Sequence, residues 1–111
     1  TDRSRGLGDV YKRQTGYRKL LEASAGTIKK EIKLLCTGAV QAEVRDFFGT
    51  DAEYKMKDSG DLTVTAELPE NGKFYGWLTG MGGSVRILKP KKSAAAYRDY
   101  LKSLAKDYKG L

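Results

Sequence analysis

The sequence predicts an α+β fold with strands and helices interleaved, and three observations carry that expectation. Apolar residues switch between strict alternation and helical spacing along the chain, and Gly, Pro, Asn or Asp falls at each switch. The 111-residue length supports one hydrophobic core and no second one.

The elements follow in order. Tyr17, Leu20 and Leu21 stand at helical spacing and Gly26 follows, so residues 15–26 read as a linker or short helix. From Ile28 the pattern alternates. Ile28, Ile32, Leu34 and Cys36 share one face, Lys29, Glu31 and Lys33 the other, and Lys30 intrudes on the apolar side. Thr37-Gly38 ends that strand. Val40, Val44, Phe47 and Phe48 fall at i, i+4, i+7 and i+8, an amphipathic helix closed by Gly49. Tyr54 and Met56 then alternate with Glu53, Lys55 and Lys57, and Leu62, Val64, Ala66 and Leu68 with Thr63, Thr65 and Glu67. The turn cluster Asp58-Ser59-Gly60-Asp61 between the two runs makes them a hairpin. Pro69 stops the strand. A second helix carries Phe74, Trp77, Leu78 and Met81 on one face and ends at Gly82-Gly83, and Val85 and Ile87 form a fourth strand ending at Pro90. The closing helix starts near Ser93, a good N-cap type, with Tyr97, Tyr100, Leu101, Leu104 and Tyr108 on one face and Arg98, Lys102 and Lys106 on the other. The order β-α-β-β-α-β plus a C-terminal helix is a ferredoxin-like arrangement. Its first two helices cover one sheet face, and the other face must be solvated or covered by a further part.

Residues 4–14 read SRGLGDVYKRQ, which is one translated frame of a transposon-tagmentation sequencing adapter. Residues 1–14 are therefore expected to be a non-native, disordered tail, leaving 15–26 as the linker or short helix and 27–111 as the domain. On that expectation the native part begins near Thr15 and is a C-terminal fragment of a longer protein.

Composition excludes several chemistries. The chain has no histidine and one cysteine, Cys36, so triads that use histidine, His-ligated metals, intrachain disulfides and cysteine zinc clusters are all out of reach. No cofactor motif is present. No apolar run reaches the length of a membrane span, and a lone cysteine in a charged chain fits a reducing cytoplasm. The net charge of +7 is unevenly placed: residues 15–85 hold nine Lys or Arg against ten Asp or Glu, whereas residues 86–111 hold eight against two.

That basic excess, Arg86, Lys89, Lys91, Lys92, Arg98, Lys102, Lys106 and Lys109, is the one constellation with electrostatic weight. It is the candidate contact for nucleic acid or an effector, against the plainer reading of a solvated helix face. The glycine-rich GWLTGMGG lies inside and after a helix, where a phosphate loop would need it before one, so C-capping and close helix–sheet packing account for it. Cys36 on the inward face reads as a buried structural thiol. Phe74 and Trp77 read as core, while Tyr75 points off their face and is the better surface contact. Asp46, Asp51, Asp58 and Asp61 form no paired-carboxylate spacing.

With these elements placed, residues 27–108 resemble the C-terminal extension (WCX type) of bacterial WYL-domain transcriptional regulators. The residues that carry the likeness are Ile28 with the strand end IKLLC, the helix end DFFG, KFYGWLTGMGGSVRILKP and the closing YRDYLKSLAKDY. Residues 15–24 resemble the segment that joins the WYL domain to the extension. The resemblance implies an N-terminal winged helix-turn-helix, a central WYL domain and this extension, with the extension contributing to dimerisation and to the effector response. It implies a WYL domain of the same or a partner chain as the packing partner, a homodimer in the full-length protein, DNA contact only through the missing N-terminal domain, and no enzymatic activity. The Trp-Tyr-Leu motif itself is absent, so the family's DNA-reading and effector residues map onto no position here. A second reading is a free-standing ferredoxin-like module that binds a small ligand or RNA. Against RNA, the first and third strands expose Lys29, Glu31, Lys33, Thr63, Thr65 and Glu67 with no aromatic pair for stacking.

Overall fold

The computed structural model describes residues 15–109; the adapter-like segment lies outside the described residues. Helix α1 (Gly16–Ala23) leads into strand β1 (Lys29–Cys36), helix α2 (Gln41–Phe48) and strands β2 (Glu53–Met56) and β3 (Leu62–Pro69). Helix α3 (Gly72–Gly80), strand β4 (Val85–Lys89) and helix α4 (Lys91–Lys109) complete the chain. The four strands form one antiparallel sheet in the order β2-β3-β1-β4, the ferredoxin-like order, with β1 and β3 in the middle. The architecture is α+β, as the alternating patterns predict.

Register explains the core. Ile32 sits opposite Ala66, Leu34 opposite Val64 and Cys36 opposite Leu62, so one sheet face is continuously apolar. Val44 and Phe48 of α2 and Phe74 and Leu78 of α3 cover it, and all four are fully buried. Phe47 and Trp77 stack at 4.3 Å between ring centroids where the two helices meet. The hairpin turns as expected, with Gly60 at φ 92° and the Lys57 N–H donating to Asp61 O.

α1 belongs to the helix layer. Tyr17 is buried against Phe48, and its hydroxyl donates to Glu67 O at 2.7 Å. Arg18 grips Asp51 with two hydrogen bonds, of 2.7 and 3.2 Å. Asn71 ties the layer together. Its side-chain oxygen caps α3 by accepting from the Phe74 N–H, and its amide donates to Ser24 Oγ at the end of α1.

Four details differ from the sequence expectation. Ile28 is not on the inward face: β1 begins one residue later and Ile28 is 83% exposed. The inward position at that end of the strand belongs to Lys30, opposite Leu68, and its ammonium reaches out to Glu70. α4 starts at Lys91, with Pro90 O accepting from the Ser93 and Ala94 N–H groups, so Ser93 is not the N-cap. Ser93 is 2% exposed, and its hydroxyl bonds the Glu70 carboxylate.

Tyr75 is not a surface residue. α4 folds back beside α3 and covers the side that α3's own periodicity leaves outward, packing Tyr97 and Tyr100 on the Tyr75 ring at 5.3 and 4.8 Å. The glycines of α3 also have a different explanation. A Cβ at Gly76, Gly80 or Gly83 would meet nothing within 4 Å, so close packing does not require them. Gly82, at φ 63°, is the one that needs glycine.

Candidate functional site

The basic constellation separates into two groups. Arg86 and Lys89 project from β4, an edge strand, and both are exposed. Lys91 and Lys92 occupy the first turn of α4, and Arg98, Lys102, Lys106 and Lys109 line its solvent side at i, i+4, i+8 and i+11. Arg98 lies 3.7 Å from Asp99, both more than 60% exposed, a pair worth little in water. The stripe is solvated along its whole length and encloses no recess. Among these residues, Arg86 contributes to the lining of one cleft and Lys89 to that of a depression on the open sheet face.

That cleft lies between the end of α3, β4 and the middle of α4, and is lined by Thr79, Val85, Arg86, Ile87, Tyr97 and Leu101 together with Gly82 and Ala94. Its volume is about 400 Å³. The strand supplies Val85 and Ile87 from its helix-facing side, the helix supplies Ala94, Tyr97 and Leu101 at i, i+3 and i+7, and Arg86, between Val85 and Ile87 on the strand, alternates to the other sheet face. The Thr79 hydroxyl donates to Tyr75 O at 2.7 Å, which spends its proton. Tyr97, 2.8 Å from Thr79 Oγ1, is therefore the donor in that contact, and its own oxygen retains accepting capacity. Arg86 has no hydrogen-bond or ion-pair partner among the described residues. Of the lining residues, Thr79 and Ala94 carry no signal in the sequence. Tyr97 with Leu101 at i, i+4, and Arg86 between Val85 and Ile87, are visible there but do not by themselves announce a cleft.

The open sheet face is different in kind. One depression there, of about 330 Å³, is lined by Lys33, Glu53, Tyr54, Lys55, Thr63 and Thr65, a second, of about 380 Å³, by Glu31, Lys33, Thr65, Lys89 and Pro90. Lysine and glutamate stand side by side in both, so neither builds a field of one sign. Cys36 is fully buried beneath the helices, and burial pushes its thiol up to about 11, far from a nucleophile's range. No group of three or more Cys, Asp or Glu among the described residues is placed to hold a metal ion.

A third feature is the distal half of α4. All residues from 101 to 109 are exposed, and Leu101, Leu104 and Tyr108 continue the stripe that Ser93, Tyr97 and Tyr100 bury against the domain. The apolar face of the helix outlasts the surface beneath it.

Fold and surface together define a small α+β domain with a polar sheet face, an apolar helix end and a side cleft. The chain belongs to the WCX family: the model of the WCX domain matches residues 29–105. That domain is the C-terminal domain associated with WYL-domain regulators, which places the chain in transcription regulation. No curated protein matches the chain. Among the described residues, no helix is long and apolar enough to cross a membrane.

Proposed function

We propose that this chain is the C-terminal part of a WYL-type helix-turn-helix regulator and that it contributes to dimerisation and to the effector response. Its partner is a WYL domain of the same or a second chain, and DNA is contacted through the helix-turn-helix rather than through this domain. Family membership supports the regulator reading, and one observation carries the dimer: Leu101, Leu104 and Tyr108 stand 36, 41 and 72% exposed on a single stripe of α4. A stripe of that kind loses free energy to water until another apolar surface covers it, at roughly 25 cal/mol per Å². An effector that favours one packing of these domains over another shifts the helix-turn-helix arms with it.

Sedimentation velocity across a concentration series tests the dimer directly. The chain is expected to associate and the Leu104→Lys variant to remain monomeric. Lys102, Lys106 and Lys109 flank the stripe, so added salt should strengthen association by screening their mutual repulsion. A chain that stays monomeric into the high micromolar range at high salt sinks the dimer reading.

A further inference from the structure

We propose that the free edge of β2 is a self-pairing surface: two copies of the chain join their β2 strands antiparallel about a two-fold axis at Tyr54, making one eight-stranded sheet from two sheets of four. This goes beyond the dimer reading of α4 and does not depend on it, because β2 and β4 are opposite edges of the sheet and α4 packs at the β4 side.

The hairpin fixes which backbone groups are free. The Gly60 N–H donates to Lys57 O and the Lys57 N–H to Asp61 O, so Lys57 and Asp61 stand as a hydrogen-bonded pair. Bonded and non-bonded pairs alternate along an antiparallel ladder, so the next bonded pairs are Lys55 with Thr63 and Glu53 with Thr65. Tyr54 and Met56 therefore turn their N–H and C=O groups outward, and among the described residues neither N–H has an acceptor. Such an edge is a template for another strand.

Side-chain charge selects the occupant. Glu53 and Lys55 are exposed on the open sheet face, and Tyr54 between them turns to the helix layer, under the Arg45 guanidinium. Neither Glu53 nor Lys55 has an ion-pair partner among the described residues. Reversal about Tyr54 sets each Glu53 against Lys55 of the second copy, twice in one contact. Both are non-hydrogen-bonded positions of the new ladder, where opposed side chains come closest. Sliding the register by two residues centres it on Lys55 and sets that lysine against itself. An unrelated strand would have to match this charge order by chance, whereas a second copy supplies it by symmetry.

Four residues a side make a small contact, so Kd should be on the order of 1 mM, too weak to register in micromolar sedimentation. The experiment is ¹⁵N–¹H NMR of the chain carrying Leu104→Lys, an exposed position whose replacement disables the α4 stripe, from about 0.1 to about 2 mM at low salt. Amide shifts at residues 53–56 should move with concentration, and added salt should weaken the contact, the opposite of its effect on α4. In that background, Glu53→Lys or Lys55→Glu makes both cross-copy pairs like-charged and should weaken association about tenfold. Both positions are exposed, so the fold is kept. Mixing the two variants should restore the parent affinity, because their charges complement one another. Lys55→Glu also lowers the chain's positive net charge, so general repulsion between copies predicts tighter association for that variant, and pairing predicts weaker. Three results would overturn the proposal: shifts at 53–56 that ignore concentration, a Lys55→Glu variant that associates more tightly, or a mixture no tighter than its components. The α4 contact is read by sedimentation of the unmodified chain, so either reading can fail while the other stands.

Discussion

Lys30 Nζ lies 2.9 Å from Glu70 Oε1, and the same carboxylate accepts from the buried Ser93 hydroxyl, so one acid joins β1, the turn before α3 and the start of α4. The joint is what lets a lysine occupy an inward strand position. Its aliphatic stem lies at the end of the apolar face and its charge meets a partner at the boundary. Burial alone would push the Glu70 carboxyl up. Hydrogen bonds from Ser93 and Lys30, with the charges of Lys30 and Lys92, outweigh that and leave it below its usual 4.5. Because the folded value lies below the unfolded one, the stabilisation is present in full above the unfolded value and is lost as pH falls through the folded value. Glu70→Gln is expected to cost about 1–2 kcal/mol at neutral pH, and the gap to the unmodified chain should close on acidification from about pH 6 to about pH 3. Urea denaturation of both proteins across that range measures it.

Tyr75 gives the largest expected loss. Its ring is 7% exposed and touches Phe74, Tyr97 and Tyr100, so Tyr75→Ala removes the contact that seats α4. A truncation of this size in a packed site costs about 3–5 kcal/mol. Amide exchange should accelerate in α4 more than in β1 or β3, which are held by their own ladders. If α4 kept its protection in the variant, the docking role given to Tyr75 would be wrong.

The contrast between Tyr75 and β1 shows what the sequence discloses. Ile32, Leu34 and Cys36 alternate with charged neighbours, so their burial follows from local pattern, and the strand pairings follow from turn chemistry at residues 58–61. Phe48 and Phe74 were legible for the same reason. Tyr75 was not, because a helix's own periodicity reports only the face turned to the sheet, and α4 returns from residues later in the chain. Ser93 misled similarly: a serine near a helix start has the chemistry of a cap, but here Glu70 claims its hydroxyl. The cleft was the least legible feature. It is made where three elements fail to close on one another, and only Arg86 among its lining residues stood out by charge.

Cys36 should be inert in the native state. Its side chain has no exposure, and its thiol titrates near 11, so little thiolate forms at neutral pH. Reaction with a disulfide reagent should be negligible in buffer and rapid in denaturant. Fast native labelling would mean that α2 lifts from the sheet far more often than its packing implies. Cys36→Ser places a hydroxyl at a fully buried position on the apolar face and should cost about 1–3 kcal/mol.

The glycines near the end of α3 separate two explanations of one motif. If GWLTGMGG served close packing, alanine at Gly76 would clash. A Cβ there meets no atom within 4 Å and the residue lies in mid-helix, so Gly76→Ala should stabilise the chain by about 0.5–1 kcal/mol through helix propensity. Gly82 is the reverse. Its φ of 63° is strained for any side chain even though the space is open, so Gly82→Ala should destabilise by about 1 kcal/mol. Thermal melts of the two single variants and of their combination should therefore give opposite signs, and the double variant should lie near the sum, because the two sites share no contact. A destabilised Gly76→Ala would restore the packing explanation, with the conclusion that α3 approaches a neighbour more closely than its geometry here shows.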